Sequence, residues 1–241
     1  MDGRTALVTG GARGIGLEVC RILAAEGMTV LLTARDAGRA AAAAAALAAD
    51  GADVRPLALD VTDDASVAAA ATAVRADPGR LDVLVNNAAS FADWTETAST
   101  ADLAGARGVM ETSLWGSWRV AQAFLPLLRD SPRPRLVNVS SGGGSHGDPQ
   151  FGLTTRGGAA SGYGVAKAAV NALTACLAAE LAGTPVIVNA VDPGLTATAP
   201  GMEEMGARPV AEGAASVAWA ALLPDDGPRG GFFRDAAPLP W

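Results

Sequence analysis

The chain has little of several residue types, and these shortages narrow its possible functions. Its 241 residues include one lysine among 18 basic side chains, one tyrosine, one histidine and two cysteines. A net charge of −7 and a pI of about 4.7 argue against nucleic acid as a general partner. Cys20 and Cys176 stand in separate helical patterns without metal-ligand spacing, which predicts two reduced core thiols and no metal site.

Long apolar runs are also missing. No stretch of about 18 apolar residues occurs, and Arg39 and Asp50 flank the alanine-rich tract 40–49, which is typical of a helix packed on a surface. The first residues, MDGRTALVTGG, lead straight into a predicted strand without a basic segment or cleavage site, so we expect no signal peptide. These features predict a cytoplasmic protein that has no membrane partner.

Short apolar runs alternate with longer helical patterns along the chain. We predict strands at 5–9, 29–34, 54–59, 81–86, 135–140, 186–191 and 230–235, and helices near 14–26, 37–50, 63–76, 102–129, 162–182 and 210–223. The strands are almost continuously apolar, which indicates burial on both faces of a parallel sheet. We therefore predict an α/β fold in which residues 1–241 form a single Rossmann-type domain, a doubly wound parallel sheet of about seven strands with helices on both faces.

Three segments follow the carboxyl ends of predicted strands and are expected to line a ligand site. They are 90–99, 142–162 and 195–209. Ligands of open α/β sheets bind at that edge, so these segments are predicted to form the walls of a substrate cleft.

A glycine-rich turn, TGGARGIG at 9–16, joins the first predicted strand to the first predicted helix. Gly10, Gly14 and Gly16 permit a tight turn and a close backbone approach to a pyrophosphate, which the helix N-terminus stabilises. An ordinary glycine-rich turn is the alternative. The position of this turn between the first strand and the first helix favours a nucleotide-binding turn.

The second predicted strand ends in the sequence TAR. Ala34 stands where an NAD site needs a carboxylate for the ribose, and Arg35 follows it. With Arg13 of the glycine turn, Arg35 would supply two guanidinium groups suited to a 2′-phosphate. Asp36 is a competing ribose ligand, but we expect it to point to solvent or to cap the next helix. The pattern predicts NADP(H) rather than NAD(H).

Six ordered segments resemble motifs of the short-chain dehydrogenase/reductase family. They are TGGARGIG (9–16), LALDV (57–61), NNAA (86–89), VNVSS (137–141), YGVAK (163–167) and NAVDPGLTAT (189–198). The segment LLTARD, the C-terminal tail and the long stretch before Tyr163 look most like carbonyl reductase-type members, which are NADPH enzymes acting on ketones and aldehydes. The resemblance implies an oxidoreductase that interconverts a small-molecule carbonyl and its alcohol by hydride transfer, with the tyrosine as general acid and base.

The resemblance also assigns roles to single residues. Tyr163 would give a proton to the carbonyl oxygen, Lys167 would assist it and hold the ribose, and Ser141 rather than Ser140 would hydrogen-bond the substrate. The implied cofactor-binding residues are Gly10, Arg13, Gly14, Ile15, Gly16, Arg35, Asp60, Val61, Asn87, Ala88, Tyr163, Lys167, Pro193, Gly194 and Thr198.

Tyr163 and Lys167 are the only tyrosine and lysine of the chain and stand four positions apart. On a helix, residues at that spacing share a face, so both side chains can reach one ligand. A free phenol has a pKa of about 10 and is a poor acid or base near neutral pH. A nearby ammonium and the positive ring of a cofactor favour the phenolate, so we expect the pKa of Tyr163 to be lowered.

Three features depart from the family pattern. Ser113, in ETSLWGS, stands where the family has an asparagine whose main chain holds a water in a proton relay, and we count Ser113 among the catalytic residues. Ala89 replaces the last glycine of the family's NNAG. The stretch between Ser141 and Tyr163 is longer than usual and is expected to form a cleft wall or to cover a helix face used for oligomerisation. Whether the protein is a monomer or a homo-oligomer is left open.

The remaining unusual side chains are the histidine and the tryptophans. We expect His146 to be a solvated loop residue and Trp94 to be a possible cleft residue. Tryptophan side chains in helices are more often buried in the core than exposed, so we predict that Trp115, Trp118 and Trp219 are buried. Trp241 would either close over the site or pack on the surface.

Two other functions stay open at this point. One is a family member that uses bound NADP(H) in a cyclisation or epimerisation, which the change to Ser113 favours. The other is a redox-inactive NADP(H)-sensing protein, which the intact Ser141, Tyr163 and Lys167 disfavour.

Overall fold

A computed structural model describes residues 3–91 and 93–241. Its strands are β1 (Thr5–Val8), β2 (Thr29–Ala34), β3 (Val54–Ala58), β4 (Val83–Asn86), β5 (Arg135–Val139), β6 (Ile187–Val191), β7 (Phe232–Arg234) and β8 (Ala237–Pro238). Its α-helices are α1 (Gly14–Ala25), α2 (Ala37–Ala49), α3 (Asp64–Ala76), α4 (Leu103–Met110), α5 (Gly116–Arg129), α6 (Ser161–Glu180) and α7 (Val210–Ala221). A π-helical turn, Glu111–Trp115, connects α4 to α5.

The strands form one sheet in the order β3-β2-β1-β4-β5-β6-β7-β8. Strands β1 to β7 run parallel, and β8 pairs antiparallel with β7. The predicted parallel α/β sheet is confirmed. Strand β8 has two residues, too few to show an apolar pattern in the sequence, so it was not expected. The chain order reverses between β1 and β4, and the carboxyl ends of these strands open the crevice in which such sheets bind ligands.

Both faces of the sheet are covered by helices, which explains the continuously apolar strands. Successive strand residues point to opposite faces. In β1, Ala6 and Val8 belong to a cluster with α1, α2 and α7, whereas Leu7 belongs to a cluster with α3, α5 and α6.

Three of the helices begin at an aspartate that caps the first turn. Asp36 accepts a hydrogen bond from the backbone of Arg39, Asp63 accepts one from Ala65, and Asp102 accepts two from the start of α4. Such caps satisfy backbone donors that have no partner within the helix. Of the two roles considered for Asp36, the structure shows the cap.

The single helix predicted at 102–129 is interrupted by the π-helical turn. The backbone nitrogen of Gly116 donates to the carbonyl oxygen of Glu111, five residues back. A Cβ on Gly116 would lie 2.7 Å from a methyl group of Val61, so only glycine fits where this turn meets the segment after β3. One widened turn leaves the chain helical on both sides, so the sequence predicted a single continuous helix.

Three predictions of burial are wrong. Trp115 and Trp118 are 46% and 39% exposed and stack on each other, because Val120 and Phe124 carry the buried face of α5. Cys176 is also exposed, whereas Cys20 is buried as expected. Trp219 packs against the core as predicted.

Within the described residues, no helix is both long and apolar enough to cross a bilayer.

Candidate active site

Four loops meet at the carboxyl edge of the sheet, where β1, β4, β5 and β6 end. They carry the glycine turn, the NNAA segment, the serine pair and the segment that begins at Asp192. Helix α6 lies beside β6 and brings Tyr163 and Lys167 to the same edge. The parallel register therefore collects motifs that are far apart in the sequence.

The glycine turn has a conformation that depends on its glycines. Gly10 and Gly14 have φ of +64° and +53°, which side chains disfavour. A Cβ on Gly16 would clash with the carbonyl oxygen of Gly10 and lie 2.5 Å from Nδ2 of Asn87. Asn87 Nδ2 donates to the carbonyl oxygens of Thr9 and Gly10 at 2.8 and 3.2 Å. The NNAA segment thus fixes the turn, and the missing Cβ atoms leave a backbone cradle.

Neighbouring side chains complete the cofactor end. Ala88 contacts the turn, since its Cα lies 3.1 Å from the Cβ position of Gly10. Thr198 lies across from the turn, with Cγ2 3.4 Å from the Cβ position of Gly14. The side chain of Val61 is buried in one cluster of the core, and that of Ile15 is partly buried against the other.

Arg13 and Arg35 are both exposed, and neither side chain has an ion pair or hydrogen bond in residues 3–91 and 93–241. Arg35 influences Asp60, at the end of the next strand. Burial raises the pKa of Asp60, but hydrogen bonds from Thr62 and the charges of Arg35 and Arg119 outweigh it and leave the pKa below its usual value. The positive end of the cleft therefore adjoins the predicted adenine-contacting segment.

Lys167 is buried, although it carries the chain's only ammonium side chain. It is 2% exposed, and its Nζ donates to the carbonyl oxygen of Val139 at 2.8 Å. The Nζ lies 5.6 Å from the centre of the Tyr163 ring. Burial lowers the pKa of Lys167 to about 8, and the carboxylate of Asp192 opposes that shift. The ammonium and the phenol thus form the expected pair on one face of α6.

The two serines after β5 have different surroundings. Ser140 is buried and its hydroxyl lies 2.5 Å from Oδ1 of Asn171, to which it donates. Ser141 is partly exposed, and its hydroxyl accepts a hydrogen bond from the backbone of Gly143 at 3.1 Å. The choice of Ser141 over Ser140 therefore agrees with the geometry, since Ser140 is committed to the interior.

The pKa of Tyr163 differs from the expectation. Burial raises the pKa, a hydrogen bond with Ser141 lowers it by less, and the charge of Asp192 adds to the increase. Lys167 directs its ammonium to Val139 rather than to the phenol oxygen. The expected lowering is therefore wrong for the chain's own groups, and Tyr163 is held in its protonated form.

Comparison with known proteins agrees with this arrangement. Residues 4–207 match the family model described as short chain dehydrogenase. The chain is a short-chain dehydrogenase/reductase.

This short-chain dehydrogenase/reductase has sequence relatives among ketoacyl reductases. It is 34% identical over 201 residues to a putative ketoacyl reductase of Streptomyces coelicolor, covering 82% of this chain and 72% of the relative. It is 35% identical over 119 residues to a rhamnolipids biosynthesis 3-oxoacyl-[acyl-carrier-protein] reductase of Pseudomonas aeruginosa, and that match spans only 43% of the relative's length.

The solved structures that it resembles include a carbonyl reductase and a menthone neomenthol reductase. An NADPH-bound carbonyl reductase from chicken fatty liver has a TM-score of 0.84, 27% identity and coverage of 100% of both chains. A menthone neomenthol reductase from Mentha piperita has a TM-score of 0.79 and 30% identity, covering 97% of this chain and 99% of the other. The carbonyl reductase-like character expected of this family member is confirmed.

Ser113 lies in the π-helical turn, against which α6 packs. The residue is 1% exposed, and its hydroxyl has no hydrogen-bond partner in the described part of the chain. The hydroxyl therefore makes no direct hydrogen bond with Tyr163 or Lys167 among the described residues.

An aromatic cluster covers Tyr163, and the sequence revealed only part of it. The ring centres of Phe91 and Trp94 lie 5.3 and 5.1 Å from that of Tyr163, and both outer rings are about half exposed. Trp94 was expected near the cleft, whereas Phe91 was missed, although its place just after NNAA was a usable signal. Trp241 stacks on Phe232 instead of closing over the site, and His146 is exposed as expected.

The segment after β6 is fixed by Asp192, which sequence analysis also missed. Its Oδ1 accepts from the backbone of Gly194 at 2.8 Å, and Gly194 has φ of +69°. Its Oδ2 accepts from Nε and Nη2 of Arg234 at 2.8 and 2.5 Å. Asp192 thus shapes the Pro193–Gly194 turn beside the predicted nicotinamide position. The partner, Arg234, is too distant in sequence to be inferred from spacing.

Proposed function

We propose that this short-chain dehydrogenase/reductase is an NADPH-dependent enzyme that reduces a small-molecule ketone or aldehyde to its alcohol, or catalyses the reverse. The observation that carries the proposal is the meeting of Ser141, Tyr163 and Lys167 at the edge of the sheet that also holds the glycine turn. The family, the ketoacyl reductases among its relatives and the carbonyl reductase-like fold support the same reaction class.

The residues present fit a dinucleotide. A Cβ on Gly16 would occupy the backbone cradle, which is the feature that a pyrophosphate needs. Gly10, Gly14 and Asn87 would hold the phosphates and Asp60 the adenine end, while Pro193, Gly194 and Thr198 would hold the nicotinamide end. When bound, the nicotinamide supplies or accepts the hydride.

The ribose end favours NADPH over NADH. Ala34 offers no carboxylate to a 2′-hydroxyl, and Asp36 is committed to the cap of α2. Arg13 and Arg35 are exposed cations without a partner in the described residues. Guanidinium groups bind phosphate oxygens in a forked geometry, so both arginines suit a 2′-phosphate.

The chain's own residues then handle the proton. A phenol is protonated at neutral pH, and burial raises the pKa of Tyr163 further, so its hydroxyl holds the proton that a carbonyl oxygen would accept during reduction. Ser141 would donate a hydrogen bond to the same oxygen and stabilise its developing negative charge. The charged Lys167 on the same face would stabilise the phenolate left behind, which must be reprotonated before the next turnover.

The direct test is NADPH oxidation with a panel of ketones, aldehydes and quinones, in the wild type and in Tyr163→Phe. We expect the variant to lose at least about 100-fold in kcat with an accepted substrate, because the proton donor is gone, while the Kd for NADPH changes little. Trp118→Phe, an exposed aromatic residue on α5, is the matched control and should retain activity. A Tyr163→Phe variant with near-wild-type kcat would overturn the assignment.

A cyclisation or epimerisation with bound NADP(H) is the second candidate, and the change to Ser113 is the observation that favours it. It differs measurably, since such an enzyme forms product without net NADPH consumption. A redox-inactive sensor would bind NADPH and convert no substrate.

A further inference from the structure

Three charged side chains lie behind the catalytic pair and form one group with Lys167, a member of that pair. Asp148 lies in the long stretch before Tyr163, Asp192 follows β6, Arg234 ends β7, and Lys167 comes from α6. Arg234 Nη2 lies 2.5 Å from a carboxylate oxygen of both Asp148 and Asp192, whose side chains are 0% and 4% exposed. These residues are contributed by four separate parts of the chain.

Counting charges shows why Lys167 belongs to this group. Two carboxylates carry two negative charges, and the single guanidinium of Arg234 offsets one of them. A buried charge that is not offset is costly. The ammonium of Lys167 supplies the second positive charge, and with it the four side chains are electrically balanced.

The strand register places Asp192 close to the anchor of Lys167. Val139 pairs with Val191, and Val139 supplies the carbonyl oxygen that accepts from Lys167 Nζ. Asp192 is the next residue after Val191. Its carboxylate is held from two directions, by the backbone of Gly194 and by Arg234. Its negative charge is therefore fixed beside the lysine.

We propose that Asp192 is a positioning residue that keeps the buried ammonium of Lys167 charged, while Arg234 offsets part of the negative charge that Asp192 presents to it. The role rests on the proposed function, in which Lys167 assists Tyr163. Among the described residues, the titratable groups that face Lys167 are Tyr163 on its own helix and Asp192 after β6, with Arg234 and Asp148 behind Asp192. Burial lowers the pKa of Lys167, and Asp192 is the group that opposes this effect.

The long stretch before Tyr163 encloses this charge group. A Cβ on Gly142 would lie 2.5 Å from both Arg234 Nη2 and Asp148 Oδ2, and a Cβ on Gly144 would lie 2.7 Å from Cβ of Lys167. The Gly142–Gly144 turn thus fills the space between the ion pairs and the lysine. The extra segment contributes Asp148 and keeps water away, which strengthens the attraction between Asp192 and Lys167.

The sequence makes a direct test possible, because Lys167 is the only lysine. In protein labelled with ¹³C-lysine, a single side-chain NMR signal reports the titration of this residue. The wild type should titrate near pH 8. Asp192→Asn keeps the Oδ1 acceptor for Gly194 but removes the charge, and we expect the pKa of Lys167 to fall by about one pH unit or more.

Asp148→Asn is the matched control, since it removes a carboxylate from the same guanidinium on the side away from the lysine. It should move the Lys167 titration by less than about half of the shift in Asp192→Asn. An unchanged titration in Asp192→Asn, or equal shifts in both variants, would overturn the proposal. If Asp192→Asn does not fold, Arg234→Gln decides: Lys167 is then the only cation facing two carboxylates, so its pKa should rise, and no change or a fall would overturn the proposal.

Activity separates this inference from the proposed function. In Asp192→Asn, the high-pH limb of the kcat profile should move to lower pH together with the NMR titration, because the enzyme needs the charged lysine. A limb that stays in place while the NMR titration shifts would overturn the catalytic part of the proposal. If the wild type reduces no carbonyl compound, the proposed function fails, whereas the NMR titration still decides whether Asp192 holds the charge of Lys167.

Discussion

Nδ2 of Asn87 lies 2.5 Å from the position that a Cβ on Gly16 would take. Two motifs that are distant in the sequence, NNAA and TGGARGIG, are therefore in direct contact. The same side chain donates to the carbonyl oxygens of Thr9 and Gly10, so the shape of the cofactor turn depends on the loop after β4.

Gly16→Ala is expected to damage both stability and cofactor binding. The new methyl group would clash with the carbonyl oxygen of Gly10 and push Asn87 out of its hydrogen bonds, with a loss of roughly 1–3 kcal/mol in the free energy of unfolding. The Kd for NADPH should rise at least about tenfold, measured by fluorescence titration. Gly108→Ala, in a helix with no atom within 4 Å of the new methyl, is the control and should bind normally. Tight NADPH binding by Gly16→Ala would contradict the proposal that the backbone around Gly16 holds the pyrophosphate.

Replacing the two exposed arginines should change cofactor preference. Arg13→Ala and Arg35→Ala each remove a cation expected to contact the 2′-phosphate, so the Kd for NADPH should rise about tenfold while that for NADH stays nearly constant. Titration calorimetry with NADPH and with NADH measures the two Kd values and hence their ratio. Arg39→Ala, an exposed arginine of α2, controls for loss of general positive charge. A wild-type Kd for NADH equal to or below that for NADPH would contradict the preference.

Ser113→Ala tests whether the hydroxyl takes part in a proton relay. The hydroxyl is buried and has no partner in the described residues, and an unsatisfied buried hydroxyl is destabilising. We expect the melting temperature to stay equal or to rise slightly, and kcat to remain within about twofold. A kcat reduced tenfold or more, with the fold intact by circular dichroism, would show that the side chain itself is needed.

The lowered pKa of Lys167 predicts a pH dependence of stability. Its pKa falls from 10.5 to about 8 on folding, so its charge destabilises the folded state in full below about pH 8, and this destabilisation disappears as the pH rises to 10.5. Compared with Lys167→Met, the wild type should therefore gain about 3 kcal/mol between pH 8 and pH 10.5. Melting temperatures across that range measure the difference.

Val165→Met is the control for this experiment, because it places the same new side chain on an exposed position of α6. Its melting temperature should follow that of the wild type at every pH. If the melting temperature of Lys167→Met also changes with pH in parallel with that of the wild type, the pKa of Lys167 is not shifted by burial.

Much of the framework was predictable from local pattern. The seven longer strands lie within the predicted ranges, since apolar runs bounded by turn residues are a local property. The motif residues Gly10, Ser141, Tyr163 and Lys167 were also identifiable, because their spacing along the chain carries the family resemblance. Asp36 as a helix cap followed from its place before α2.

The amino-acid sequence alone thus determined the seven longer strands, the family motifs and the Tyr163–Lys167 pair, each of which depends on residues near one another in the chain. Tertiary structure alone decided which helix faces were covered, so it exposed Trp115 and Trp118 and buried Ser113 in a widened turn. It also brought Asp192 and Arg234 together behind the lysine. Burial and pairing depend on contacts between distant segments, and these contacts shift the pKa of Tyr163 upward and that of Lys167 downward.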